Sequence, residues 1–262
     1  MIFVGTAGYS YDDWKGTFYP EKVDKKEMLS LYAGQFKFTE VNSTYYRLPN
    51  KYMIYNMQAK TPEDFRFVIK AYKTLTHERK DNQQDIEDFI QALQPLVESG
   101  KLGCVLAQFP QSFRLNGDNV TYVKELGRCL GGFPTVVEFR HGEWIRDDIF
   151  AFLSEQGLGY VCVDEPLLKG LVPPEARATS SIAYVRFHGR NYEKWWNHRE
   201  SYERYDYLYS EQELAEWVPR IAGLAQKVEN VYVSMNNHYR GQAVTNARMI
   251  RDMLRLAGER VI

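Results

Sequence analysis

The sequence predicts a single (βα)8 barrel spanning residues 1–262. Eight short runs rich in Val, Ile, Phe and Tyr alternate with segments of helical periodicity, the pattern of parallel strands joined by crossovers. A length of 262 residues is near that of one such barrel. An open doubly wound sheet usually carries a GxGxxG phosphate loop after its first strand, and Gly5-Thr6-Ala7-Gly8-Tyr9 does not fit that pattern.

The first strand is expected near Ile2–Gly5, followed by a helix over Lys25–Phe36. The second, Phe38–Val41, leads to a short helix over Tyr52–Ala59 that Thr61-Pro62 closes, because the residue before a proline is held out of the helical region. Phe67–Lys70, Cys104–Phe109 and Thr135–Arg140 are the next strands, with helices over Gln84–Ser99, Asn119–Leu130 and Asp147–Gln156. Pro166, Pro173 and Pro174 follow the sixth strand, Gly159–Asp164, and predict a loop or short turn where a helix would stand. The seventh strand, Ala183–His188, opens into a long aromatic loop over Gly189–Ser210, then a helix over Glu211–Val228. Val231–Asn236 and a helix over Ala243–Leu256 complete the barrel. No repeat, low-complexity tract or linker divides the chain.

The composition, 44% hydrophobic and 26% charged, is that of a soluble globular protein, and the net charge of -1 offers no global field for nucleic acid or an acidic membrane. Cys104, Cys129 and Cys162 lack metal-type spacing, and a disulfide scaffold is not expected at this size. No run approaches the ~20 apolar residues of a membrane span. No basic segment followed by an apolar stretch marks a signal peptide, so the cytoplasm is the expected location.

Side chains alternate between the two faces of a strand, and in a barrel one face meets the helices while the other points inward. Val137 and Phe139 read as outward, which turns Glu138 and Arg140 in. Val185 and Phe187 likewise turn Arg186 and His188 in, and Thr39 and Val41 turn Glu40 and Asn42 in. The same rule places Lys70, Gln108, Asp164 and Asn236 inward at their strand ends. Barrel interiors favour Val, Ile and Leu, and the C-terminal strand ends are where polar exceptions become functional. A compensated plug of ion pairs, with Glu40, Glu138 and Asp164 set against Lys70, Arg140 and Arg186, is the structural alternative.

Motifs along nearly the whole chain add a family resemblance. They include Val4-Gly5-Thr6-Ala7-Gly8-Tyr9 with Trp14, Glu40-Val41-Asn42-Ser43-Thr44-Tyr45-Tyr46-Arg47-Leu48-Pro49, Gln108-Phe109-Pro110, Glu138-Phe139-Arg140-His141 with Trp144, Tyr184-Val185-Arg186-Phe187-His188-Gly189 and Asn236-Asn237. With these the sequence resembles the DUF72 (YecE-like) family. The resemblance implies a (βα)8 barrel related in shape to the endonuclease IV and xylose isomerase group, and it brings no established activity.

The strand ends point to an enzyme acting on a small or terminal anionic substrate, phosphorylated or sugar-like. Lys70, Arg140 and Arg186 are expected to hold the anion, and Glu138 and His188 to transfer protons. Asp164, Glu40, Gln108, Asn42, Asn236 and Asn237 are expected to orient these groups or the substrate. Trp14, Tyr45, Tyr192 and Trp195 are expected to wall the mouth. No cofactor is expected. A divalent metal is the lesser expectation, with Glu138, His141, Asp164 and His188 as its ligands, since HExxH and CxxC spacings are missing and three cations share the layer. Nucleic-acid processing like that of endonuclease IV is one rival, and steep salt dependence would mark it. A non-catalytic metabolite-binding module is another, marked by saturable binding without turnover.

Overall fold

The computed structural model describes residues 1–262, the side chain of Ser201 excepted. Eight parallel strands close into a barrel in chain order. They are β1 (Ile2–Ala7), β2 (Phe38–Val41), β3 (Arg66–Lys70), β4 (Leu102–Gln108), β5 (Thr135–Glu138), β6 (Gly159–Asp164), β7 (Ile182–Phe187) and β8 (Asn230–Met235). The barrel closes where β1 meets β8, with Ile2 opposite Val231 and Thr6 opposite Met235. β5, β7 and β8 stop one or two residues before the expected ends, so Arg140, His188 and Asn236 stand on the rim just past the pairing.

The helices are α1 (Lys25–Ala33), α2 (Ser43–Tyr46), α3 (Lys51–Ala59), α4 (Gln83–Glu98), α5 (Gly117–Cys129), α6 (Asp147–Glu155), α7 (Glu211–Ala215), α8 (Val218–Ala225) and α9 (Gln242–Leu256). The helix expected over Glu211–Val228 is broken in two. Pro219 has no N–H to continue the ladder, and it sits in the first turn of α8, where that loss costs least. The single turn α2 was not anticipated. As expected, no helix stands between β6 and β7.

Two apolar layers form the core. Val41, Ile69, Val105, Val137, Val185 and Val233 face the helices. Phe3, Phe38, Val68, Cys104, Leu106, Val136, Tyr184 and Tyr232 fill the lumen. Gly5 belongs to this filling, because a Cβ there would lie 2.3 Å from the Phe38 carbonyl oxygen.

β6 corrects one inward assignment. Val161 and Val163 line the lumen while Tyr160 and Cys162 pack outward, so Asp164 faces out. The next residue, Glu165, takes the inward position and pairs with Arg140.

Candidate functional site

The lumen is apolar up to one layer below the rim, and the next inward side chains are charged. Glu40 follows Phe38 on β2, Glu138 follows Val136 on β5, and Arg186 follows Tyr184 on β7. All three are buried. Arg186 donates Nε and Nη2 to Glu40, at 2.9 and 2.6 Å, and Nη1 to Glu138 at 2.5 Å. Glu40 also accepts from the Tyr184 hydroxyl at 2.7 Å and the Ser234 hydroxyl at 3.3 Å. Arg186 is thus largely committed to the two acids beneath the mouth.

His188 lies 3.1 Å from Glu138 through Nε2 and 3.0 Å from the Asn236 amide nitrogen through Nδ1. An amide nitrogen donates, so Nδ1 accepts and the ring proton resides on Nε2, donated to Glu138. Burial, with Arg140 and Arg186 close by, holds the imidazole well below its ordinary pKa. Burial also works against ionised Glu138, but Arg140, Arg186 and His188 outweigh it and hold that carboxyl well below its usual range.

Arg140 and Lys70 stand above this layer. Arg140 Nε is 2.6 Å from a Glu138 oxygen without hydrogen-bond alignment, and Nη1 donates to Glu165 at 3.3 Å. Burial pushes Glu165 up to about 7 despite Arg140. Lys70 Nζ donates to Gln108 Oε1 at 2.9 Å and lies 4.6 Å from the centre of the Tyr45 ring. Among the described residues, no carboxylate oxygen is within 4.0 Å of that amine. Burial, then Arg186, lowers Lys70 to about 7.

These groups border a cavity of about 310 Å³ reached by Lys70, Arg140, Asn42, Asn236, Tyr11 and His238. A second lobe of about 230 Å³ shares Gln108, Arg140 and Tyr205 with it and is walled by Trp195, Trp196, Arg204 and His77. Tyr205 comes down from the long loop between His188 and His238, with ring centres 6.3 and 5.9 Å away.

Several expected site residues lie elsewhere. The Asp164 carboxylate accepts from Arg190 at 2.9 and 2.7 Å, from the Tyr209 hydroxyl at 2.7 Å and from Trp217 Nε1 at 2.7 Å. It ties the loop after β7 to the outer helices and does not face the cavity. Asn237, one residue past Asn236, also turns outward and binds the Tyr207 carbonyl and Asn246. Trp14 is fully buried, donating to the His238 carbonyl at 2.7 Å, so it supports the rim from behind and does not wall the mouth. Tyr192 is half exposed, and its hydroxyl accepts from the Leu167 amide outside both lobes. His141 Nδ1 accepts from the Glu143 amide and begins the turn Gly142–Trp144. The four expected metal ligands therefore do not converge. Among the described residues, no group of three or more His, Cys, Asp or Glu is placed to hold a metal ion.

Sequence reasoning did not find Glu165, His77, Arg204, Tyr205, Tyr11 or His238 as site residues. Tyr11, His77, Arg204, Tyr205 and His238 lie in loops or short turns, where no periodicity assigns a direction. Glu165 was missed because both faces of β6 are apolar.

A family model described as a protein of unknown function, DUF72, matches residues 3–261. The chain belongs to the DUF72 family. The UPF0759 protein YunF of Bacillus subtilis is 32% identical over 97% of this chain and 95% of its own length. The UPF0759 protein YecE of Escherichia coli is 27% identical over 60% of this chain and 52% of its own. A solved DUF72 structure from Thermotoga maritima matches with a TM-score of 0.89 at 41% identity, covering 97% of this chain and 99% of that one. A DUF72 protein of Enterococcus faecalis matches with a TM-score of 0.87 at 27% identity, covering 97% and 96%.

Part of the DUF72 resemblance falls on scaffold. Trp14 and Trp144 donate to the His238 and Phe113 carbonyls, and the Thr44 hydroxyl donates to the Lys70 carbonyl at 2.7 Å. These bonds fix the loops that present Lys70 and the rim. Among the described residues of this DUF72 chain, no helix is long and apolar enough to cross a membrane.

The lowered Lys70 amine has a consequence for stability. Its value falls from 10.5 in the unfolded chain to about 7 in the fold, so the fold is penalised at pH below 7. The penalty fades as pH rises from 7 to 10.5. Lys70→Met is therefore expected to stabilise the protein by about 1–3 kcal/mol at pH 6, with little gain near pH 10. Urea unfolding at both pH values checks this. A loss of stability at pH 6 would mean that the amine is favourably paired.

Proposed function

We propose that this DUF72 barrel is an enzyme that binds a small anionic substrate, phosphorylated or a sugar acid, and transforms it by proton transfer at the mouth. One observation carries the reading. Lys70 and Arg140 border the 310 Å³ lobe, while Glu40 and Glu138, which balance much of the layer, are wholly buried beneath it. The mouth thus offers one permanent cation, Arg140, beside the proton-exchanging amine of Lys70, over a low-dielectric floor, an arrangement suited to phosphate or carboxylate. Asn42 and Asn236 add polar contacts, and Trp195 with Arg204 walls the adjoining lobe.

Within this reading Glu138 and His188 are positioning residues. Their mutual contact and their bonds to Arg186 and Asn236 use the atoms that a proton carrier would need free. Lys70, lowered to about 7, is the group at the cavity wall matched to proton exchange near neutrality.

Calorimetric titration at fixed ionic strength with inorganic phosphate, glucose 6-phosphate and gluconate tests the proposal. Saturable binding is expected with at least one of them, weakened about tenfold or more, some 1.4 kcal/mol, in Arg140→Gln and in Lys70→Met. No heat with any probe, or unchanged affinity in both variants, would remove the anion site. Binding without conversion across a panel of sugar phosphates and sugar acids would favour a metabolite-binding module.

A further inference from the structure

We infer that Lys70 is an amine nucleophile that condenses with the carbonyl group of an anionic aldehyde or ketone held at the mouth. The inference rests on the anion-binding reading and adds the substrate's reacting group.

The chain contains its own comparison. Lys101 is also buried, and its Nζ donates to the Gln58 carbonyl at 2.7 Å, the Thr61 carbonyl at 2.7 Å and the Thr61 hydroxyl at 3.3 Å. All three of its N–H groups are used, so it serves the scaffold. Among the described residues, Lys70 Nζ has one hydrogen-bond partner, Gln108 Oε1. That amide is fixed in orientation because its Nε2 donates to the Phe109 carbonyl at 2.6 Å. The Tyr45 ring covers another side of the amine, and the lobe borders it.

The surroundings suit carbonyl condensation. With no carboxylate partner among the described residues, Lys70 lacks the contact that would keep it protonated. Burial and the nearby Arg186 bring it to about 7, so roughly half is free amine at neutral pH. Arg140 borders the same lobe and can bind the substrate's anionic group or the oxygen that gains charge. Asn42 lines the lobe as well, and among the described residues its side-chain oxygen has no hydrogen-bond partner. It is an acceptor placed for the hydroxyl of an intermediate or for departing water.

The step balances without an oxidant or reductant. The Nζ lone pair attacks the carbonyl carbon and forms a C–N bond. The C–O π pair moves to oxygen, which takes the proton that the attacking nitrogen gives up, leaving a neutral carbinolamine whose nitrogen has its lone pair back. The hydroxyl then leaves as water with a second proton drawn from solvent, and the nitrogen lone pair forms the C=N bond of the iminium. The resulting iminium withdraws electrons from the neighbouring carbon, which makes proton abstraction or carbon–carbon cleavage there easier.

Borohydride trapping tests this with the full-length protein. Glyoxylate, pyruvate and dihydroxyacetone phosphate are each added with sodium borohydride, and the product is read by intact mass and peptide mapping. The expected product is a secondary amine on Lys70, formed at least tenfold faster than on any other lysine and suppressed by inorganic phosphate. Mapping in the wild-type chain does not depend on a variant folding, and Lys70→Met should lose the adduct. Adducts spread over surface lysines, or none at Lys70, would overturn the inference. If phosphate and pyruvate bind calorimetrically but no adduct forms, the carbonyl chemistry fails and the anion site stands. An adduct on Lys70 that phosphate does not suppress would keep the nucleophile and remove the anion site.

Discussion

Arg186→Met is expected to cost the fold about 3–5 kcal/mol, because it strands two buried carboxylates at once. Glu40 would keep only the Tyr184 and Ser234 hydroxyls, and Glu138 would keep His188 and Arg140. The melting temperature should fall by roughly 6–20 °C. The pH dependence has a defined sign. Glu138 is held well below its usual range in the fold, so its stabilising contribution is present above the unfolded value of 4.5 and is lost as pH falls through the folded one. The gap between wild type and variant should therefore be widest near pH 7 and narrow in acid. Adding Glu40→Gln to the variant should recover part of the loss, since one stranded charge is then removed. A cost below about 1 kcal/mol at pH 7 would show that the plug is dispensable.

Asp164→Asn should be almost as damaging, by a different route. The amide has nearly the shape of the carboxylate but cannot take both Arg190 bonds, and its nitrogen would oppose another donor, Trp217 Nε1 or Tyr209. A loss of about 3 kcal/mol is expected. The loop after β7 should also loosen. Gly189 turns there with φ of 91°, against the Cβ of Tyr207, and relies on the Tyr209 hydroxyl that Asp164 orients. Trypsin should then nick at Lys194 or Arg199 faster than in wild type. Unchanged stability and unchanged nicking would return Asp164 to the list of groups free for chemistry.

The barrel was legible because strand and helix periods alternate cleanly and polar residues interrupt otherwise apolar strands. Glu138 and Arg186 were assignable for the same reason, since an apolar neighbour on each side fixed the direction of the charged one. β6 offered no such contrast. Tyr160, Val161, Cys162 and Val163 are all apolar, so the direction of Asp164 was undetermined and was misread by one residue. At the end of β8 Asn236 lies inward as assigned, but Asn237, one residue further on, faces out. Aromatic side chains misled differently. Trp14 and Trp195 read alike in sequence, yet Trp14 is packed among Tyr11, Phe18 and Tyr19, while Trp195 borders a cavity. Only tertiary contacts separate them.

The closure of β1 on β8 has a consequence for how the chain is made. β1 exposes an unpaired edge from the moment it is synthesised, and its partner follows only after the other six strands. At about 5–20 residues per second the ribosome needs roughly 10–50 s to reach β8. Throughout that interval an apolar strand with free N–H and C=O groups is a template for a wrong neighbour. The final pairing also spans the longest loop in the sheet, so ring closure is expected to be a late and slow event in folding. A burst of misassociation during synthesis, relieved once β8 has emerged, is the hazard that this architecture imposes on the cell.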